Sequence, residues 1–152
     1  MRPKPEAFGK YEVITRLGSG GMAEVFKCRL AGIGGFDKLV VVKTILPDKL
    51  ADKRLVAMFL DEARIVSNLS HPNIAQIFEV GENQGVPFLA MEYVAGPSLE
   101  SLLERAQEKR RLNFAYACRI ISGLAAGLHH AHTSRSASGQ KLNIVLRDIS
   151  PQ

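Results

Sequence analysis

The sequence predicts an α+β fold, an antiparallel sheet leading into helices, and three features of its patterning point there. Short β-branched and apolar stretches separated by glycine-rich turns fill residues 11–45. One amphipathic helical segment then interrupts the strands. Beyond residue 98 the apolar residues recur at helical spacing as far as residue 132.

Residues 1–10 read as a polar, proline-containing lead. Strands are expected at Tyr11–Leu17, Glu24–Leu30 and Lys38–Ile45, the first two joined by Gly18-Ser19-Gly20-Gly21 and the next pair separated by Gly32, Gly34 and Gly35. This is a three-stranded antiparallel meander. From about Asp52 to Leu69 a helix is expected, with Leu55, Met58, Phe59, Glu62, Ile65, Val66 and Leu69 on one stripe. His71-Pro72 ends it. Two more strands, Ile74–Val80 and Pro87–Tyr93, flank a turn at Gly81–Gly85, and Val94-Ala95-Gly96-Pro97 reads as a linker. Helices follow at Ser98–Ala106 and Phe114–His132, then a polar loop at Thr133–Gln140 and an apolar Leu142–Leu146. Ala117, Ile120, Ile121, Leu124 and Leu128 give the long helix one side built for burial.

Composition narrows the function. With 46% hydrophobic and 23% charged residues the chain has the make-up of a globular protein, and its 152 residues hold one ordinary domain or a small lobe plus part of another. The net charge of +5 is spread along the chain. Its one tight basic run, Lys109-Arg110-Arg111, reads as a solvated helix end or loop, so nucleic acid is not the expected partner. Cys28 and Cys118 lack the spacing of a disulfide framework or a zinc site. No signal peptide or membrane segment is visible, and the cytoplasm is the expected compartment. His129, His130 and His132 cluster near a helix C-terminus, where the macrodipole favours them, and no acidic or thiol co-ligand accompanies them.

The glycine turn is weak evidence taken alone. Glycines let backbone N–H groups approach phosphate oxygens, but most such turns are plain hairpins. A dinucleotide-binding βαβ unit would need a helix straight after the glycines, and here a strand follows. Two charges strengthen the signal. Lys43 sits inside the apolar strand Val40-Val41-Val42-Lys43, and Glu62, nineteen positions later, lies at the centre of the helix stripe. Burying either alone is costly. Each explains the other if they form one ion pair, leaving the ammonium to hold nucleotide phosphates.

With these motifs in this order the chain resembles a Hanks-type protein kinase, closest in character to bacterial serine/threonine kinases, from about Tyr11 to Gln152. The resemblance implies a kinase-like N-lobe over 11–94, a five-stranded antiparallel sheet with one helix, and a partial C-lobe over 95–152. It assigns Leu17-Gly18-Ser19-Gly20-Gly21-Met22-Ala23-Glu24-Val25 to the glycine-rich loop. Gly18, Ser19, Gly20, Gly21, Ala23, Val25, Val41 and Lys43 would contact ATP. Met91 would be the gatekeeper, and the backbone of Glu92 and Val94 would hydrogen-bond adenine. Lys43 and Glu62 would be the catalytic ion pair. Asp148, in Leu146-Arg147-Asp148, would be the base for the hydroxyl of a protein substrate.

Five departures from the family pattern qualify this. Ala23 replaces the third loop glycine. Val41 stands where an alanine usually packs on adenine, which tightens that slot. Leu146 replaces the histidine before Arg147-Asp148, and Ser150 replaces a lysine typical of serine/threonine kinases. The fifth is that the sequence stops at Gln152, before the residues expected to bind Mg²⁺, whereas such a domain runs to about 250 residues. These 152 residues alone are therefore expected to be inactive and to self-associate through the apolar side of the long helix. The alternative is a non-catalytic, kinase-like module that binds nucleotide or a partner.

Overall fold

The computed structural model describes residues 5–108, 113–136, 138–146 and 149–151. Lys109-Arg110-Arg111 and Asp148 fall outside them. The chain divides into two compact units, one comprising residues up to Asn68 together with Ala75–Tyr93, the other Leu69–Ile74 together with the chain from Val94.

The first unit is a six-stranded antiparallel sheet with one helix. Its strands are β1 (Ala7–Phe8), β2 (Tyr11–Ser19), β3 (Ala23–Leu30), β4 (Lys38–Ile45), β5 (Ile77–Asn83) and β6 (Val86–Glu92), ordered β1-β2-β3-β4-β6-β5. Five of the six are those expected from sequence. The sixth, β1, lies in the polar lead, where Phe8 supplies an apolar anchor that is 4% exposed.

Both faces of the sheet carry apolar side chains, sorted by the two-residue period of the strands. On one face Phe26, Cys28, Val40, Val42, Phe88 and Ala90 form a core with Phe8 and Tyr11. Its rings meet at centroid distances of 5.4 Å (Phe8–Phe26) and 5.9 Å (Phe8–Phe88 and Tyr11–Phe88), the tilted and edge-on arrangements aromatic quadrupoles prefer. On the other face Ile45 and Leu89 meet Phe59 and Ala63 of helix α1 (Lys53–Ser67), with Leu50, Val56, Leu60 and Met91 around them. Asp52 caps α1, its carboxylate accepting from the N–H groups of Arg54 and Leu55.

The stripe of α1 is rotated from the expected one. Met58 and Ile65 are exposed, at 59% and 44%, and the buried positions are Phe59 and Ala63. The expected stripe is wide enough to place either edge against the sheet. Ala63, small enough for close approach, selects the edge that is used. Glu62 then lies at the border of the buried stripe and is exposed, where the sequence had suggested burial.

The β5–β6 hairpin also differs in detail. Ile74 is held in a turn, its N–H donating to the His71 carbonyl at 3.0 Å, so β5 starts only at Ile77. Gly81 belongs to the strand and not to the turn. It pairs with Phe88, and a Cβ on it would lie 2.5 Å from the Phe88 ring. The chain reverses three residues later through Gln84 and Gly85, both at positive φ (51° and 79°), as a two-residue hairpin turn demands.

One polar cluster fastens the edge strand β5 to the start of β2. The Tyr11 hydroxyl donates to Glu79 Oε2 at 2.6 Å, and Lys10 Nζ lies 2.7 Å from the same oxygen. Glu79's carboxyl is held below its ordinary value, first by the hydrogen bond from Lys10 and then by that from Tyr11. Tyr11's hydroxyl is pushed up, first by burial and then by its bond to Glu79. A depressed carboxyl contributes stability above its unfolded value of about 4.3 and loses it as pH falls through the lower folded value. Glu79→Gln is therefore expected to lower unfolding free energy at pH 7 by about 1 kcal/mol, mainly through the Tyr11 bond because the Lys10 pairing is open to solvent. In urea titrations across pH the gap between variant and wild type should close on the acid side. A gap constant down to pH 2 would contradict this.

The second unit holds α2 (Leu99–Glu108) and α3 (Phe114–Thr133). The Ser98 hydroxyl accepts from the Ser101 N–H at 3.2 Å at the start of α2, and Asn113 caps α3 by accepting from Ala115 N–H. Within this unit the His71–Ile74 turn lies on α3, where Gly123 and Gly127 give it room: a Cβ on Gly127 would lie 3.2 Å from the Asn73 carbonyl oxygen. The His71 and His130 rings stack at 5.1 Å. Ile121 and Leu124, expected on the burial side of α3, are 60% and 40% exposed. Leu142–Leu146 forms no strand; an isolated bridge pairs Arg135 with Lys141. Among the described residues no helix is long and apolar enough to cross a membrane.

Candidate nucleotide site

Strand pairing builds the site. In β3–β4, Val25 lies opposite Lys43 and Lys27 opposite Val41; in β4–β6, Val41 lies opposite Met91 and Lys43 opposite Leu89. Directly paired residues of antiparallel strands share a face. Val25, Lys27, Val41, Lys43 and Met91 therefore lie together on the face that also carries α1.

Lys43 Nζ is 2.7 Å from Glu62 Oε1, the ion pair anticipated from sequence. The lysine side chain is 23% exposed and the glutamate 45%. The lysine is thus half-buried and its carboxylate partner exposed, so the pair is not sealed from solvent. Lys43 Nζ also lies 5.9 Å from the centre of the Phe59 ring, so the residue that anchors α1 flanks the pair that α1 completes.

The glycine turn between β2 and β3 is open. A Cβ on Gly18 or Gly21 would meet nothing within 4 Å, and one on Gly20 would meet only the Ala23 carbonyl oxygen at 4.0 Å. Among the described residues the space directly beside these glycines is open, as a turn that admits phosphate oxygens requires. The Gly20 N–H is engaged, donating to the Ala23 carbonyl at 2.8 Å and closing the turn. Ala23 is itself buried and lies opposite Ile45, on the face of the sheet that carries α1. Ser19 pairs with Glu24, and Glu24 on the outgoing strand holds Arg16 of the incoming strand at 3.2 Å.

At the end of β6 the Glu92 N–H donates to the Gln76 carbonyl at 2.8 Å, and the Glu92 carboxylate accepts from the Gln76 N–H at 3.2 Å. With its N–H engaged, Glu92 can offer adenine only its carbonyl. Tyr93, next along, is held by Lys27. Neither contact is visible in the sequence, because each joins residues whose proximity depends on strand register. Val94 lies in the second unit and is 67% exposed.

The residues therefore fit a nucleoside triphosphate: an open glycine turn, a cation held by a carboxylate, and apolar side chains on the same sheet face. The protein kinase domain model matches residues 11–152. The chain is 41% identical over 150 residues to the tyrosine-protein kinase MasK of Myxococcus xanthus, covering 98% of this chain and 23% of that protein. It is 36% identical to the serine/threonine-protein kinase pkn3 of Myxococcus xanthus (94% and 24%) and 32% identical to the serine/threonine-protein kinase PrkC of Bacillus subtilis (94% and 20%). It thus spans about a quarter or less of the length of these relatives. Among solved structures the kinase domain of Mycobacterium tuberculosis PknI superposes with a TM-score of 0.61 at 28% identity, over 83% of this chain and 49% of that one. Motif order, sheet architecture and these matches agree, and the chain belongs to the protein kinase family, in its Hanks-type bacterial branch.

Proposed function

We propose that these residues form the nucleotide-holding part of a kinase that transfers the γ-phosphate of ATP to a serine or threonine hydroxyl of a protein. The observation that carries this is the 2.7 Å Lys43–Glu62 pair, standing on one sheet face with Val25 and Val41. In this reading Glu62 aims the Lys43 ammonium at the phosphates, and Gly18, Ser19 and Gly21 border them with backbone N–H groups. Val25, Val41 and Met91 enclose the base, and the Glu92 carbonyl and Val94 backbone hydrogen-bond its edge. ATP brings Mg²⁺, which neutralises phosphate charge. Asp148 takes the proton of the attacking hydroxyl as the oxygen–phosphorus bond forms and the bond to ADP breaks.

The test is phosphotransfer by the full-length gene product with Mg²⁺–ATP and a generic protein acceptor, followed by phosphoamino-acid analysis. Phosphoserine or phosphothreonine, abolished by Asp148→Asn, is the expected result. Phosphotyrosine would favour a second reading, supported by the 41% identity to a protein named as a tyrosine kinase. Nucleotide binding with no transfer to any acceptor would instead leave a non-catalytic module.

A further inference from the structure

Lys27 is a cation on the nucleotide face that the proposed chemistry does not use. It lies directly opposite Val41 and two residues along β3 from Val25. No carboxylate among the described residues pairs with it. Its ammonium instead sits over the Tyr93 ring, 4.4 Å from the centroid, and donates to the Tyr93 hydroxyl at 3.3 Å. Both side chains are half-buried, where a cation–π contact is stronger than in open water.

Tyr93 immediately follows Glu92. The Gln76 bonds fasten Glu92 from the β5 side, and the Lys27 contact fastens Tyr93 from the β3 side. The last peptide of β6 is thus held from two sides, which fixes the direction of the Glu92 carbonyl. We infer that Lys27 is a positioning residue for purine recognition, acting through Tyr93 to preset the carbonyl that meets the base edge. This rests on the nucleotide-site reading above. A preset acceptor avoids the ordering cost of fixing it on binding.

The experiment titrates the full-length protein with ATP and, separately, with adenosine. Lys27→Met keeps the apolar stem and removes the cation, and is expected to weaken both ligands by the same factor, about five- to tenfold. Lys27→Arg keeps a cation that stacks on tyrosine and should bind within about twofold of wild type. Lys43→Met should weaken ATP while leaving adenosine unchanged, because it removes a phosphate contact. Wild-type adenosine affinity in Lys27→Met would overturn the inference, as would failure of Lys27→Arg to restore binding or a collapse of the thermal midpoint in step with the lost affinity. A wild-type protein that binds neither ligand would remove the nucleotide-site reading itself, and this inference with it.

Discussion

Lys43→Met is expected to reduce phosphotransfer by the full-length protein at least a hundredfold while leaving the sheet folded. The two halves of that statement have different physical origins. In the proposed mechanism the ammonium is the protein's fixed positive charge at the phosphates, and preorganised charge of this kind typically contributes two to three orders of magnitude in rate. Its contribution to stability is small by comparison. Glu62 is 45% exposed, so on losing its partner it is solvated by water, and partly exposed pairs contribute about 0–1 kcal/mol. Methionine fills most of the lysine stem's volume on an apolar face. Glu62→Gln should fall between wild type and Lys43→Met, since the amide can still accept a hydrogen bond from the ammonium but no longer offsets its charge. Turnover measured beside urea unfolding separates the two effects. An unchanged rate in Lys43→Met would remove the phosphate-holding role, and a large fall in stability would show that the pair is a structural one.

Phe59→Ala is expected to have the largest effect on stability, about 3–5 kcal/mol. Phe59 is fully buried against Ile45, Ala63 and Leu89 and is the largest side chain that α1 places on the sheet. Ile45 and Leu89 are held in strands and Ala63 in the same helix as Phe59, so the cavity would stay largely open. Against a typical total of about 5–15 kcal/mol this is a large share. Because Phe59 lies one turn before Glu62, the loss would also free the carboxylate from Lys43, and nucleotide affinity should fall with stability. Phe59→Leu, which restores most of the volume, should recover most of both. Urea midpoints measured with and without ATP provide the check, and a Phe59→Ala protein within 1 kcal/mol of wild type would mean that α1 is held by its flanks.

The parts of the site that were legible in the sequence are those in which one residue is chemically out of place. A lysine in a run of valines and a glutamate among apolar helix positions each required an explanation, and the structure joins them at 2.7 Å. Five strands and three helices were legible from period and turn residues. Other features were hidden because they depend on which side of an element faces inward or on register between distant strands. The α1 stripe offered two edges, and only the seat for Ala63 chose between them. Gly81 looked like a turn residue, yet it is a strand position vacated for the Phe88 ring. Phe8 looked like part of a polar lead until the aromatic core claimed it. The Lys27–Tyr93 contact spans 66 positions, with no local pattern to announce it.

The two-faced sheet has a consequence for how β4 finds its place. In most half-buried strands the alternation of apolar and polar residues fixes alignment, because a shift by one residue turns the oily side to water. Val40-Val41-Val42 carries no such information, since either face accepts valine. Lys43 and Thr44 supply it. A one-residue slip would carry the ammonium among Phe26, Phe88 and Phe8, away from Glu62, and would take Thr44 from the Pro87 carbonyl that its hydroxyl now reaches at 3.0 Å. An uncompensated charge in that aromatic layer is costly enough to exclude the shifted alignment. The charge assigned to nucleotide chemistry thus also acts as the strand's proofreading mark, rejecting the misaligned sheet as the chain folds.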